Sequence, residues 1–383
     1  MSLRHSPRLF HMLRQLRSAD WLLLFSVFTL LLFGLAAIYS VELSQDVASF
    51  VQVKKQMIAI VVGTVFLLLI ALSNYRLLQN YALAFYCLCI SLLVLVLVFG
   101  ETIRGSTGWF VFGPVSFQPV EMMKVGLIIA LSTYFARRAV RPLRLRSLLK
   151  SGLIVLLPVV LVLQEPDFGS ASVLLGTWFL FLLFIGMPWR YIISIILLMS
   201  LAFGASWLFL FEDYQQSRIM TFIDPSMDPL GQGYNVTQAI IAIGSGGLLG
   251  SGLGFGTQSQ LKFLPESQTD FIFAVIAEEL GFLGVMLVLA SFAFLFFRLS
   301  RHVVNAYDDF TSYLVLGAGS VFFLQFLVNI GMNLGLFPVT GIGLPFVSYG
   351  GSSLVAMMAL IGIVESIALR RRSGHEGRHV VSS

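Results

Sequence analysis

The sequence predicts an all-α polytopic membrane protein of about ten transmembrane helices. Both termini are expected in the cytoplasm, with a long extracytoplasmic loop between helices 7 and 8. Three observations predict this. Of 383 residues, 57% are hydrophobic and 11% charged, with mean hydropathy +0.90, whereas a soluble chain carries about 25% charged residues. Ten apolar runs approach or exceed the roughly 20 residues that cross the hydrocarbon layer as a helix. Lys and Arg are divided unequally between alternate connections. This composition excludes an ordinary soluble enzyme and a disordered chain. It also excludes a nucleic-acid binder, because the net charge of +5 is not gathered on one soluble face.

The spans are expected at residues 21–41, 56–73, 80–99, 121–136, 151–163, 171–187, 191–211, 271–297, 313–336 and 353–369. Leu, Ile, Val and Phe fill them without strict alternation, which reads as helix and not as β-barrel. The first run is too long for a signal peptide and lacks a small-residue cleavage site, so it is expected to remain as a span. The fourth and fifth are short. Only Pro188-Trp189-Arg190, a tight turn, separates the sixth from the seventh. Residues 1–20 then form a cytoplasmic tail, 21–370 a single transmembrane domain including the 212–270 loop, and 371–383 a polar cytoplasmic tail expected to be disordered. Cys87 and Cys89 point in different directions on one helix, so no disulfide framework is expected.

With both ends inside, only Lys54, Lys55, Arg104, Arg218 and Lys262 of the 24 basic residues fall outside. Lys124 lies within a span. The basic cluster at 137–150 is first a topology signal and second a candidate contact for anionic lipid. The outside segments 100–120, 164–170, 212–270 and 338–352 open to one face and are rich in Asp and Glu, so any chemistry is expected there. The run from Gly244 to Gly256 lacks the GK[ST] ending of a phosphate-binding loop. It reads as a tight re-entrant or interfacial loop in which glycine permits close backbone packing.

Each candidate site residue has a structural alternative. Asp270 is either half of a Ser267-x-x-Asp270 capping box or an outward carboxylate placed to take a proton from a hydroxyl. Glu278 and Glu279 lie deeper in the eighth span, where a carboxylate is costly and faces a bundle interior or wet cavity. Glu121 and Lys124, at i and i+3, can form an ion pair, or Lys124 can meet a lipid phosphate. Asp167 is an N-cap or a site residue. Arg218 forms a loop salt bridge or clamps phosphate. Ser348 and Ser352 lie in a small-residue segment suited to close packing and capping. No HExxH, CxxC pair or His cluster signals a transition-metal site.

Four blocks carry a resemblance to a known family: Gly113-Pro-Val-Ser-Phe-Gln-Pro-Val-Glu-Met-Met-Lys124, Glu165-Pro-Asp-Phe-Gly169, the stretch Phe263 to Gly281 around Thr269-Asp270-Phe271, and Gly343-Leu-Pro-Phe-Val-Ser-Tyr-Gly-Gly-Ser-Ser353. With Asp224-Pro225 and Asn329-Ile-Gly-Met332 they cover about residues 20–370. The chain resembles the SEDS proteins, the group that includes RodA, FtsW and SpoVE, with features leaning toward RodA. The resemblance implies a peptidoglycan glycosyltransferase of the bacterial cytoplasmic membrane that polymerises lipid II, a disaccharide-pentapeptide on undecaprenyl pyrophosphate, into β-1,4 glycan with inversion. It implies Asp270 as the essential aspartate and general base. It also implies a Glu121–Lys124 pair. Candidate substrate or pyrophosphate contacts are Arg104, Arg218, Lys124, Glu121, Asp167, Glu266, Ser348 and Ser352. A divalent cation, Mg or Mn, is a candidate cofactor. A class B penicillin-binding protein is the expected partner, with other members of an elongation or division complex. Three positions depart from the family pattern: Gly108 stands where arginine is usual, Val120 where serine is common, and Gln268 where histidine is common. Two other readings stay open at this point, a lipid II flippase supported by interrupted fourth and fifth spans, and a scaffold for a transpeptidase without chemistry of its own.

Overall fold

A computed structural model describes residues 19–43, 50–103, 105–113, 115–137, 145–209, 213–224, 227–228 and 231–380. For residues 202, 213–215, 218, 232 and 371–380 it describes the backbone alone. The tail 1–18, residues 138–144 of the basic cluster and Arg104 lie outside the described residues.

Each expected span is a helix: α1 (Trp21–Leu43), α2 (Val51–Leu72), α4 (Ala82–Phe99), α5 (Pro119–Ala136), α6 (Leu145–Gln164), α7 (Phe168–Ile185), α8 (Trp189–Phe209), α12 (Ile272–Val304), α13 (Asp309–Asn333) and α14 (Gly351–Val380). Shorter helices lie between them: α3 (Arg76–Asn80), α9 (Asp213–Ile223), α10 (Gln232–Ser245) and α11 (Thr257–Gln260). α5 starts with Pro119 in its first turn, where the missing N–H costs nothing. α6 begins at Leu145, ahead of its apolar run, because the polar Arg146, Ser147 and Lys150 continue the helix. Both are continuous, so the interruption of the fourth and fifth spans that favoured a transporter is absent. α14 runs on to Val380, through the polar stretch expected to be disordered.

The break lies instead in the eighth span. Gly281 in α12 has φ 64° and ψ −164°, a conformation only glycine adopts readily. A break leaves backbone groups without helical partners, and inside a membrane each must find another. The glycine-rich run supplies them. Ser251 and Gly252 N–H donate to the Glu278 and Glu279 carbonyls at 3.0 and 2.9 Å. Phe282 and Leu283 N–H donate to the Gly247 and Leu248 carbonyls at 2.9 and 3.1 Å. Gly246 and Gly250 lie so close to the α12 backbone that a Cβ on either would strike a carbonyl of residue 277 or 279.

The segment between α4 and α5 is not the irregular loop that an all-helical reading implied. It is a three-stranded antiparallel sheet in the order β1 (Glu101–Ile103), β2 (Ser106–Phe112), β3 (Val115–Phe117). Phe110 pairs with Phe117 and Val111 with Ser116. Gly105 and Gly113, at φ 82° and 61°, lie in its two turns, and Trp109, Phe110, Val111 and Phe112 are residues that favour a pleated, half-buried surface.

Two apolar clusters form the core. One joins α1, α2, α12, α13 and α14; the other joins α4, α6, α7 and the start of α8. α5 contributes to both, Val125, Ile128 and Ile129 to the first and Met123, Leu127 and Leu131 to the second. It is the most enclosed span, whereas α8 is the most exposed. At the end of α12 far from Asp270, buried Asp20 binds Arg298 through Nε and Nη2 at 3.0 and 2.7 Å and lies 2.7 Å from His302 Nε2. Its N–H donates to Glu365 on α14 at 3.0 Å. Burial works to raise the Asp20 pKa, but the His302 and Arg298 hydrogen bonds and the Arg298 charge outweigh it and lower it to about 2.

Candidate active site

Asp270 lies just ahead of α12, in a coiled segment entered through left-handed residues at Lys262 (φ 59°) and Glu266 (φ 51°). The helix starts at Ile272, and its N-cap, Phe271, makes no side-chain cap. The Ser267–Asp270 capping box is therefore not formed, and the position of Asp270 has another cause. Three consecutive carbonyls are clamped. The Gln268 oxygen accepts from Tyr349 N–H at 2.9 Å. The Thr269 oxygen accepts from Ser348 Oγ at 2.5 Å. The Asp270 oxygen accepts from Asn329 and Asn333 Nδ2 at 3.0 and 2.9 Å. Asn333 also accepts Ala274 N–H at 3.2 Å, tying the first turn of α12 to α13.

The half-buried Asp270 side chain lines a cavity of about 460 Å³, within the range of small-molecule sites. β1, β2 and their turn form part of its wall through Ile103, Ser106 and Trp109. Of the expected site residues, Asp270, Glu121, Lys124, Asp167, Glu266 and Ser348 all border it. Lys124 Nζ and Glu121 Oε1 form a buried ion pair of 2.7 Å. Asp167 serves both readings: it caps α7 by accepting Ser170 N–H at 2.8 Å, accepts Gln118 Nε2 at 3.3 Å, and lines the cavity. Glu266 Oε2 accepts from Thr269 Oγ1 at 3.0 Å. Ser352 stands behind the wall, where its Oγ accepts Gln118 N–H at 3.2 Å and donates to the Ser116 carbonyl at 3.0 Å.

Other candidates are elsewhere. Glu278 and Glu279 do not border the cavity; both hold α11. Glu278 accepts Gln258 N–H at 2.7 Å and Ser259 N–H at 3.1 Å, and Glu279 accepts Ser259 Oγ at 3.0 Å and Gln260 Nε2 at 3.2 Å. Adjacent helical side chains diverge, but a single turn of α11 is wide enough to meet both. Arg218 is on α9, its side chain outside the described residues. Val120 is a fully buried core residue. Gly108 packs against the Glu165 carboxyl.

Sequence reasoning missed Asn329 and Asn333 as site residues. Two amides one helical turn apart on an apolar span were a usable signal, since polar groups in spans face partners. Gln118 lies inside the 113–124 block, but nothing in its spacing pointed to the Asp167 carboxylate it meets.

A divalent cation fits this donor set poorly. Among the described residues no three His, Cys, Asp or Glu side chains could hold a metal, and three of the four cavity carboxylates, Glu121, Asp167 and Glu266, already bind Lys124, Ser170 with Gln118, and Thr269.

The family model for FtsW, RodA and SpoVE, described as cell cycle protein, matches residues 20–373. Over 354 residues, the chain is 39% identical to the peptidoglycan glycosyltransferase MrdB of Escherichia coli (strain K12), covering 92% of this chain and 94% of that one. The fold is similar to a chain from a peptidoglycan synthase complex that coordinates polymerization and crosslinking: TM-score 0.79, 33% identity, 92% of this chain and 98% of that one. It is also similar to the crystal structure of the Thermus thermophilus rod shape determining protein RodA, with TM-score 0.69, 29% identity, and coverage of 91% and 96%.

Proposed function

We infer the function from one premise: the chain belongs to the FtsW, RodA and SpoVE family of cell cycle proteins. It is a multi-pass membrane protein and a peptidoglycan glycosyltransferase. The finer reading is that it polymerises lipid II on the outer side of the bacterial cytoplasmic membrane, in wall elongation or division. A class B penicillin-binding protein works beside it as the crosslinking transpeptidase, with other members of that machinery.

The observation that carries this reading is the clamped Asp270 at the cavity. A hydroxyl nucleophile needs a base within hydrogen-bond reach, and one held by its own main chain keeps its aim. Asp270 takes the proton of the acceptor sugar's 4-hydroxyl as that oxygen attacks the donor's anomeric carbon. The carbon–oxygen bond to pyrophosphate breaks on the opposite face, and the lipid pyrophosphate leaves with the electron pair. An α-linked donor thus becomes a β-linked product. Lys124 is the cation closest to hand for the leaving phosphates, with Arg104 and Arg218 as further candidates. A divalent cation has no protein-built seat among the described residues, and no step is routed through one.

The test is lipid II polymerisation by the purified full chain with its transpeptidase, wild type beside Asp270→Asn. Glycan strands from the wild type and none from a folded variant are expected. Equal strands from both would remove Asp270 from the chemistry. Strands from neither would remove the polymerase reading.

A further inference from the structure

We propose that Glu165 is a positioning residue that works by carrying a proton: neutral, it lets the 101–112 hairpin lie closed on the Asp270 cavity, and ionised, it drives the hairpin off. Glu165, in the turn between α6 and α7, is fully buried. Among the described residues neither carboxyl oxygen has a hydrogen-bond partner. Its main chain is the hairpin's anchor: the carbonyl accepts Thr107 N–H at 3.3 Å and Ser106 Oγ at 2.8 Å. Its side chain lies against Gly108, so close that a Cβ there would come within 2.5 Å of Oε2.

A buried carboxylate with no donor is among the costliest arrangements a protein can hold, and such a group keeps its proton instead. The groups facing it from β2 are Ser106, Thr107 and Gly108, all uncharged. From its own turn the facing group is Asp167, an anion that disfavours a second charge. Burial first, and Asp167 second, raise the Glu165 pKa to about 8.

The hairpin carries Ile103, Gly105, Ser106 and Trp109 of the cavity wall, so what opens the hairpin opens the site. Closure holds the proton more tightly than the open state, where the carboxyl meets water at its ordinary 4.5. The closed-to-open ratio therefore falls as pH rises, by up to about tenfold per unit between those two values, and levels above about 8. The released proton goes to bulk water.

The test compares wild type with Glu165→Gln, which copies the neutral acid's shape and cannot ionise. The first readout is hydrogen–deuterium exchange of residues 101–112 at matched pH from 5 to 9. It does not depend on the polymerase reading, on which only the activity arm rests. Expected is a wild-type deficit of only about fourfold at pH 5 that grows by at least a further tenfold by pH 8.5. Polymerisation should decline over the same range in wild type and not in the variant. Equal protection at every pH overturns the proposal. If the Gln variant does not fold, the hairpin is compared with α13 inside wild-type protein. Hairpin exchange that outpaces α13 as pH rises supports the proposal, and parallel exchange overturns it.

Discussion

The Glu121–Lys124 pair can be taken apart in a way that separates its structural from its chemical role. The two charges are 2.7 Å apart with side chains 9% and 5% exposed. Removing one partner of such a buried pair strands the other charge, at a cost of about 3–5 kcal/mol, whereas replacing both by uncharged groups of similar volume is often near neutral. Lys124→Met and Glu121→Gln should each lose about 3–5 kcal/mol, and the double variant less than about 2, a coupling of about 4 kcal/mol or more. Reversible unfolding of the four proteins in mixed detergent reads this cycle. Polymerisation by the double variant then decides the second role. A stable double variant that polymerises makes the pair a strut; a stable one that does not makes Lys124 a contact for the leaving phosphates. Additive single losses, or a single loss below 1 kcal/mol, would refute the reasoning, because either means the charges are already solvated.

Three further outcomes follow from the geometry. Asp20→Asn should destabilise by about 2 kcal/mol near neutral pH; because the Asp20 pKa is lowered from 3.8 to about 2, the gap to wild type should persist above pH 4 and close as pH falls toward 2, read by thermal unfolding. Gly281→Ala should cost several kcal/mol, since a Cβ there would fall about 2.2 Å from the Gly250 nitrogen at a φ of +64°; expression and unfolding midpoint report it, and a neutral result would deny the break. Asn333→Ala removes one of two donors to the Asp270 carbonyl and should lower kcat by about 10- to 100-fold with little change in KM, read by initial polymerisation rates.

Much of this architecture is written locally. A run of Leu, Ile, Val and Phe has one stable conformation in lipid, so all ten helices were legible. The three-stranded sheet was not, because Trp109 to Phe112 also reads as an apolar extension of its surroundings and the pairing with Val115–Phe117 is a tertiary choice. The gathering of Asp270, Glu121, Lys124 and Asp167 at one cavity came through family resemblance; spacing alone left each with a structural rival. For Asp167 the rivals are the same fact, since the carboxylate that caps α7 also faces the cavity. The break at Gly281 and the glycine run that repairs it lie in separate parts of the chain. Each glycine is explained only by the other's backbone, so neither could be read singly.

The hold on residue 270 runs through the main-chain oxygens of residues 268–270, which accept from Tyr349, Ser348, Asn329 and Asn333. A main-chain oxygen is the same whatever side chain follows it. Evolution can therefore silence this position without deforming the molecule around it, and so can an experimenter. In a cell that carries a silenced copy beside an intact one, the two would be indistinguishable to anything that recognises their surfaces. The inert copy would occupy places meant for the working one, and the defect would be dominant in proportion to its abundance.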